Sequence, residues 1–114
     1  MLTQNQLRLF SSEWRTLFAN LESRNYHLSY NSGVIEIRHA TAGINMDVEL
    51  DTERRGRWKM TLYKPFGMLP IIDRKRHDSH MIEMISYWLN RAEQSPLMYS
   101  FIRPVIVGVQ GVTA

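Results

Sequence analysis

Residues 34–50, VIEIRHATAGINMDVEL, carry the clearest secondary-structure pattern of this chain. Two apolar-polar alternations flank the turn-forming stretch TAG at 41–43, and the second alternation runs unbroken from Ile44 to Leu50. A period of two is typical of a β-strand with one buried face, and a short turn between two such strands favours an antiparallel hairpin. The stretch therefore predicts two paired strands that share one apolar face and one polar face.

The same alternation extends to both sides of this hairpin. YHLSY at 26–30 precedes the turn residues NSG at 31–33, and WKMTLY at 58–63 repeats the pattern further along the chain. Tyr30 and Tyr63 are expected to be exposed, whereas Trp58 is expected in the core. Four amphipathic strands joined by short turns predict an antiparallel meander with one face in water.

Two helices are predicted around the sheet. Apolar residues recur at helical spacing over residues 4–23, where Thr3 and Gln6 have the form of a capping box and Asn25 is a typical stop. A second helix, which carries another apolar stripe, is expected to begin at Asp78 or Ser79 and to end before Pro96. The stretch at 65–73, with two prolines and a glycine, is expected to leave the sheet.

The predicted fold class is α+β: an N-terminal helix, a four-stranded antiparallel meander and a second helix packed on the same face of the sheet. Residues 97–114 are expected to form either an extended tail or a C-terminal edge strand. With 114 residues, of which 44% are hydrophobic, the chain suits a single domain over residues 1–114.

Composition restricts the chemistry that is open to the chain. It contains no cysteine, which excludes disulfides, thiol catalysis and thiolate metal sites. Neither a signal peptide nor a membrane span is readable, so a cytoplasmic location is expected. The glycines form neither a dinucleotide fingerprint nor a P-loop, so no small-molecule cofactor and no enzymatic activity are expected.

The positive charge is concentrated in one quarter of the chain. Residues 51–76 hold eight Lys or Arg against three Asp or Glu, whereas the segments on either side each carry a net charge of −1. Such an excess favours binding to nucleic acid or to an acidic protein surface, although exposed turns also carry charge for solubility. The predicted polyanion-binding residues are Arg54, Arg55, Arg57, Lys59, Tyr63, Arg74, Lys75 and Arg76.

Two weaker patterns suggest metal chemistry. His77 and His80 share a helical face, and Asp78 between them is either an oxygen ligand or a helix cap. On the predicted wet face, Glu36, Asp47 and Glu49 form either an acidic site or cross-strand salt bridges with cations such as Arg38 and Lys59. Capping and salt bridges are the simpler explanations, so a metal-dependent hydrolase or nuclease is the third hypothesis for function.

A surplus of apolar side chains supports a second hypothesis for function, in which the chain binds another protein. The segment PFGMLPII and the C-terminal YSFIRPVIVGV offer a surface for a second copy or another protein, as an adaptor or inhibitor would need, although burial within the fold explains them as well. The residues predicted for this surface are Phe66, Met68, Leu69, Ile71, Ile72, Phe101 and Ile106. The first hypothesis remains a small accessory or regulatory protein, in one form a homodimer, that binds a polyanion through residues 51–76.

Overall fold

The computed structural model describes residues 1–102 of the chain. The described part is an α+β domain in which a five-stranded antiparallel sheet is combined with helices. In chain order the elements are α1 (Gln4–Leu7), α2 (Ser12–Ser23), β1 (His27–Asn31), β2 (Val34–His39), β3 (Ile44–Leu50), β4 (Trp58–Leu62), β5 (Ile71–Lys75), α3 (Asp78–Gln94) and α4 (Pro96–Tyr99).

The sheet is a meander with one strand more than predicted. Its spatial order is β1-β2-β3-β4-β5, and each strand pairs antiparallel with the next. The prediction that residues 65–73 leave the sheet is wrong for its last part, because Ile71–Lys75 pairs with β4 as an edge strand. The prolines and the glycine are confined to the connection that precedes this strand.

The predicted N-terminal helix is divided in two. Thr3 and Gln6 form the expected capping box, but α1 ends at Leu7 and α2 begins only at Ser12. Asn25 follows α2 with a positive φ of 69°, as expected for a helix stop. At the other end of the described chain, Pro96–Tyr99 is a short helix, and residues 103–114, where a strand was also considered, lie outside the described residues.

The core fills the space between the helices and one face of the sheet. Alternating residues of β2, β3 and β4, among them Ile37, Met46 and Met60, are completely buried. Helix α2 contributes Trp14 and Phe18 to this layer, and α3 contributes an apolar stripe that includes Ile85. Burial of this continuous apolar surface is the main stabilising contribution, as in other layered domains.

The two ends of the sheet differ in character. Because the strands alternate in direction, residues 31–33, 51–57 and 75–77 lie together at one end, which we call the basic end. Residues 40–43 and 63–70 lie at the other end. The last described residues join this second end, since the Phe101 amide donates to the Gly43 carbonyl and Lys64 lies over the Tyr99 ring. We call it the apolar end.

Candidate polyanion-binding site

Strand pairing brings the two basic segments of the sequence together. Lys59 of β4 lies directly opposite Arg74 of β5, and Trp58 lies opposite Lys75. Cross-strand partners have Cβ atoms about 5 Å apart. The cations at 54–59 and at 74–76 are therefore neighbours at the basic end and at the outer edge of the sheet.

Two of these cations are already neutralised. The Arg74 Nε donates to Asp51 Oδ2 over 2.7 Å, and the Asp51 side chain is only 2% exposed. Lys75 lies 3.8 Å from Asp73. Burial of the Asp51 carboxylate favours its neutral form, but hydrogen bonds from Arg74 and from the Glu53 amide outweigh burial and hold the pKa of Asp51 below its ordinary value. Arg74 thus anchors the loop at 51–57 to β5.

The remaining five cations form no ion pair within residues 1–102. Arg54, Arg55 and Arg76 are exposed, and Arg57 and Lys59 are half-buried. Three acids of the same region, Glu49, Glu53 and Asp78, also form no ion pair with any described residue. Five cations against three acids leave an excess of two positive charges. We refer to Arg54, Arg55, Arg57, Lys59 and Arg76 as the unpaired cations.

The two tyrosines that were expected to stack on a ligand lie in different parts of the sheet. Tyr63 lies beyond the far end of β4, on the order of 15 Å along the strand from Trp58, and its hydroxyl donates to Asp47 over 2.9 Å. Burial and this hydrogen bond raise the pKa of Tyr63. Tyr30 is half-buried, with its ring edge-on to Phe10 at 5.2 Å, so the prediction of an exposed Tyr30 is wrong.

Asp78 accepts two indole hydrogen bonds. Trp14 Nε1 donates to Asp78 Oδ2 over 2.9 Å, and Trp58 Nε1 donates to Oδ1 over 2.8 Å. The two indole rings pack with centroids 4.8 Å apart. Asp78 therefore ties the first turn of α3 to both α2 and β4. Trp58 contacts the core as predicted, but it is only half-buried.

The histidine pair next to Asp78 lacks further ligands among the described residues. The rings of His77 and His80 lie edge to face at 5.5 Å, while both oxygens of Asp78 accept from indoles. Within residues 1–102, no three His, Cys, Asp or Glu side chains are placed to hold a metal ion together. The hypothesis of a metal-dependent hydrolase gains no ligand set from this part of the chain.

The carboxylates of the open sheet face take part in cross-strand bonding. Arg38 donates to Asp47 over 2.8 Å and lies 3.4 Å from Glu36. Asn31 and Ser29 donate to Glu36, and these hydrogen bonds lower the pKa of Glu36. Of the two readings of the predicted acidic group, these contacts match the salt-bridged one for Glu36 and Asp47.

The residues predicted for a protein-binding surface are divided among several environments. Leu69 is 85% exposed and Phe66 62%, both in the connection at the apolar end, and Phe101 is 45% exposed nearby. Ile71 packs against the core and Met68 is half-buried, whereas Ile72 is 46% exposed on the opposite face of β5. Ile106 lies outside the described residues. Leu97, Met98 and Ile102 add exposed apolar surface at the same end.

Two acids organise the basic end in ways that were not predicted, since Asp51 was not singled out and Asp78 was considered only as a metal ligand or a helix cap. Asp51 could have been suspected from its position before a turn, where aspartate often accepts from the amide two residues on, as it does here from Glu53. Nothing local indicates its pairing with Arg74, which is 23 residues away, or the pairing of Asp78 with Trp14, which is 64 residues away.

Within residues 1–102 no helix is long and apolar enough to cross a membrane. Comparison of the chain with family models, with curated proteins and with solved structures finds no match in any of the three.

Proposed function

We propose that this chain is a non-enzymatic, cytoplasmic nucleic-acid-binding module that contacts the sugar-phosphate backbone through its basic end. The observation that carries the proposal is the pairing of β4 with β5. It sets Lys59 beside Arg74 and so joins two segments that are separate in the sequence. Because Asp51 and Asp73 are matched by Arg74 and Lys75, the unpaired cations are left to face an external anion.

Arginine at a loop tip suits this role for a physical reason. The guanidinium presents several N–H donors in one plane, which matches the oxygens of a phosphate, and it remains charged at any physiological pH. Three arginines lie within four residues at positions 54, 55 and 57. Neutralising phosphates releases condensed counterions, which is the main source of affinity in sequence-independent binding.

The direct test is fluorescence anisotropy with labelled DNA and RNA oligonucleotides at low salt. We expect the double variant Arg54→Glu/Arg55→Glu to bind at least ten-fold more weakly than the unaltered chain, because it replaces two attractive charges by two repulsive ones. Lys64→Glu/Arg91→Glu is the matched control: it changes the net charge equally, but Lys64 lies at the apolar end and Arg91 in the last turn of α3.

The comparison between the two variants decides the outcome. If only the Arg54/Arg55 variant loses binding, the basic end is the docking surface. If both variants weaken binding equally, net charge alone explains the interaction and the assignment to the basic end fails. No detectable binding of the unaltered chain at low salt would remove the proposal altogether.

The exposed side chains at the apolar end favour a second candidate function, association with another protein or with a second copy of this chain. Leu69 and Leu97 are 85% and 75% exposed at this end of the sheet. Apolar contacts of this kind are not weakened by salt, because they involve no charges that salt could screen. If the chain associates with itself, light scattering should show a mass above that of the monomer, and Leu69→Asp should return the mass to that of the monomer. A monomeric mass at all concentrations would count against homodimerisation.

A further inference from the structure

A surface pocket opens at the basic end, between the turn that joins β1 to β2 and the loop that joins β3 to β4. Its volume is ≈ 240 Å³. Tyr30, Leu50 and Trp58 supply apolar wall, Ser32 and Thr52 bring a hydroxyl from each of the two connections, and Glu49 of β3 adds a carboxylate to the lining. A cavity of roughly 150 Å³ suffices for a benzene ring. The pocket therefore has room for a planar ring of the size of a nucleobase.

The aromatic walls are held in place by the fold. Trp58 packs on Trp14 at 4.8 Å and donates its indole N–H to Asp78. The Tyr30 ring is held edge-on to Phe10. Leu50, by contrast, points from the end of β3 into solvent and is 59% exposed, although it continues the apolar row of its strand. A ligand would meet a preformed wall and would cover an apolar side chain that the fold leaves open.

The arginine loop begins and ends at this pocket. Thr52 lines the pocket two residues before Arg54, and Trp58 lines it directly after Arg57. The Asp51 amide donates to the Arg57 carbonyl over 2.7 Å, which holds the two ends of the loop together. Guanidinium groups with no ion pair to any described residue are thus attached immediately beside an apolar, ring-sized pocket.

We infer that the pocket takes one unstacked nucleobase of a single-stranded nucleic acid whose neighbouring phosphates contact Arg54, Arg55 and Arg57. This inference rests on the proposed function and names the form of nucleic acid that is bound. Single strands are commonly held by aromatic or apolar contact with the base together with cationic contact with the backbone. A base that is paired within a duplex cannot leave the stack without an unstacking cost, so a single strand binds more tightly than a duplex.

An acidic peptide with an aromatic side chain is the competing occupant. The hydroxyls of Ser32 and Thr52 and the Glu49 carboxylate favour a base, because the edge of a nucleobase carries donors and acceptors, whereas an aromatic hydrocarbon ring leaves these groups unused. The local excess of two positive charges also suits a ligand with one negative charge per residue, such as a nucleic-acid strand.

The experiment compares four labelled probes by anisotropy: a short single strand, the same strand with its bases replaced by abasic sites, the corresponding duplex, and an acidic peptide with an aromatic side chain. We expect the intact strand to bind about ten-fold more tightly than the abasic strand, as a single stacked base provides. Leu50→Asn should reduce that ratio towards one while retaining the salt dependence. The control Leu69→Asn makes the same chemical change at an exposed leucine of the apolar end and should leave the ratio unchanged.

The outcomes separate this inference from the proposed function. Equal affinity for intact and abasic strands, or tighter binding of the duplex, overturns the base pocket while Arg54→Glu/Arg55→Glu still tests the backbone contact. If Leu50→Asn leaves the ratio unchanged, the base is held elsewhere and the pocket is wrongly assigned. If an acidic peptide binds in place of every nucleic-acid probe, both proposals fail.

Discussion

Gly43 lies where the backbone of residues 100–102 closely approaches a turn of the sheet at the apolar end. Its φ is +67°, and a Cβ built there would lie 2.6 Å from the Ser100 hydroxyl, 2.7 Å from the Ile102 amide nitrogen and 2.9 Å from that of Phe101. Gly56, in the arginine loop, has a similar φ of +78° but would have no heavy atom within 4 Å of a new Cβ. The two glycines therefore share the conformational requirement and differ in the space around them.

We expect Gly43→Ala to be more destabilising than Gly56→Ala. Both substitutions carry the cost of about 1 kcal/mol for a left-handed alanine, and only Gly43→Ala also displaces backbone atoms of residues 101 and 102. The difference should be about 1–3 kcal/mol in the free energy of unfolding, measured by urea denaturation. Equal losses in the two variants would show that residues 100–102 do not pack on the turn in solution.

Asp78 is the residue on which three elements converge, since it accepts from Trp14 and Trp58 at the start of α3. Asp78→Ala leaves two indole donors without their partner, and Trp14 is 1% exposed, so water does not readily replace the lost acceptor. We expect a loss of about 2 kcal/mol, with a change in tryptophan fluorescence. Asp78→Asn keeps one acceptor oxygen and should lose roughly half as much.

The neighbouring residue provides the control for this prediction. Ser79 is exposed in the same first turn of α3 and has no side-chain hydrogen bond to any described residue. Ser79→Ala should leave both the stability and the fluorescence nearly unchanged. If Asp78→Ala behaves as Ser79→Ala does, the paired indole contacts contribute little to stability.

The ion pair between Asp51 and Arg74 connects the β3–β4 loop to strand β5. The folded-state pKa of Asp51 lies below its unfolded value of about 3.9. Its contribution to stability is therefore complete above the unfolded pKa and is lost as the pH falls through the folded pKa. Between pH 5 and 8 this contribution should not vary with pH.

We predict that acid changes the stability of the unaltered chain and that of Asp51→Asn by different amounts. Asp51→Asn should be less stable than the unaltered chain at pH 6, and the gap should narrow below pH 4 as Asp51 of the unaltered chain binds a proton. Glu36, whose pKa is also lowered, titrates in both proteins and cancels from the comparison. Urea denaturation at several pH values measures the gap, and a gap that stays constant down to pH 2 would contradict the role assigned to the ion pair.

The strands and helices show how far sequence pattern reaches. Strands β1 to β4 were predictable because each keeps apolar residues on one face over most of its length. Strand β5 was missed because its core side changes from Ile71 to Asp73 and Lys75, so no alternation of hydrophobicity remains at this edge of the sheet. The break at residues 8–11 within the predicted first helix was missed because the apolar stripe continues across it.

The candidate site was predictable only in its parts. The two basic segments are evident in the composition, but their adjacency follows from the pairing of a strand that was not predicted. Which cations remain unpaired depends on Asp51 and Asp73, and the sequence contains no local sign of the contact between Asp51 and Arg74. The pocket beside the loop depends on two connections brought together by the meander, which no single segment encodes.

The sheet as a whole separates two chemically different surfaces. The unpaired cations lie at or beside the basic end, whereas exposed apolar side chains such as Leu69 and Leu97 lie at the opposite end. The strands between them span on the order of 15–20 Å, which exceeds the Debye length of about 8 Å at physiological ionic strength. A polyanion at one end and a protein at the other would therefore bind with little electrostatic interference.

Because the two surfaces are separate, the salt dependence of the proposed nucleic-acid binding would measure the basic end alone. If all five unpaired cations contact phosphates of a single strand, the logarithm of the association constant should fall with the logarithm of salt concentration with a slope of about −3.5. Removing two contacts in Arg54→Ala/Arg55→Ala should reduce the slope to about −2. Leu69→Asp at the apolar end should alter neither the slope nor the affinity. A slope that stays near −3.5 in the alanine variant would place the phosphate contacts on other residues. A slope near zero in the unaltered chain would mean that binding does not depend on phosphate neutralisation at all.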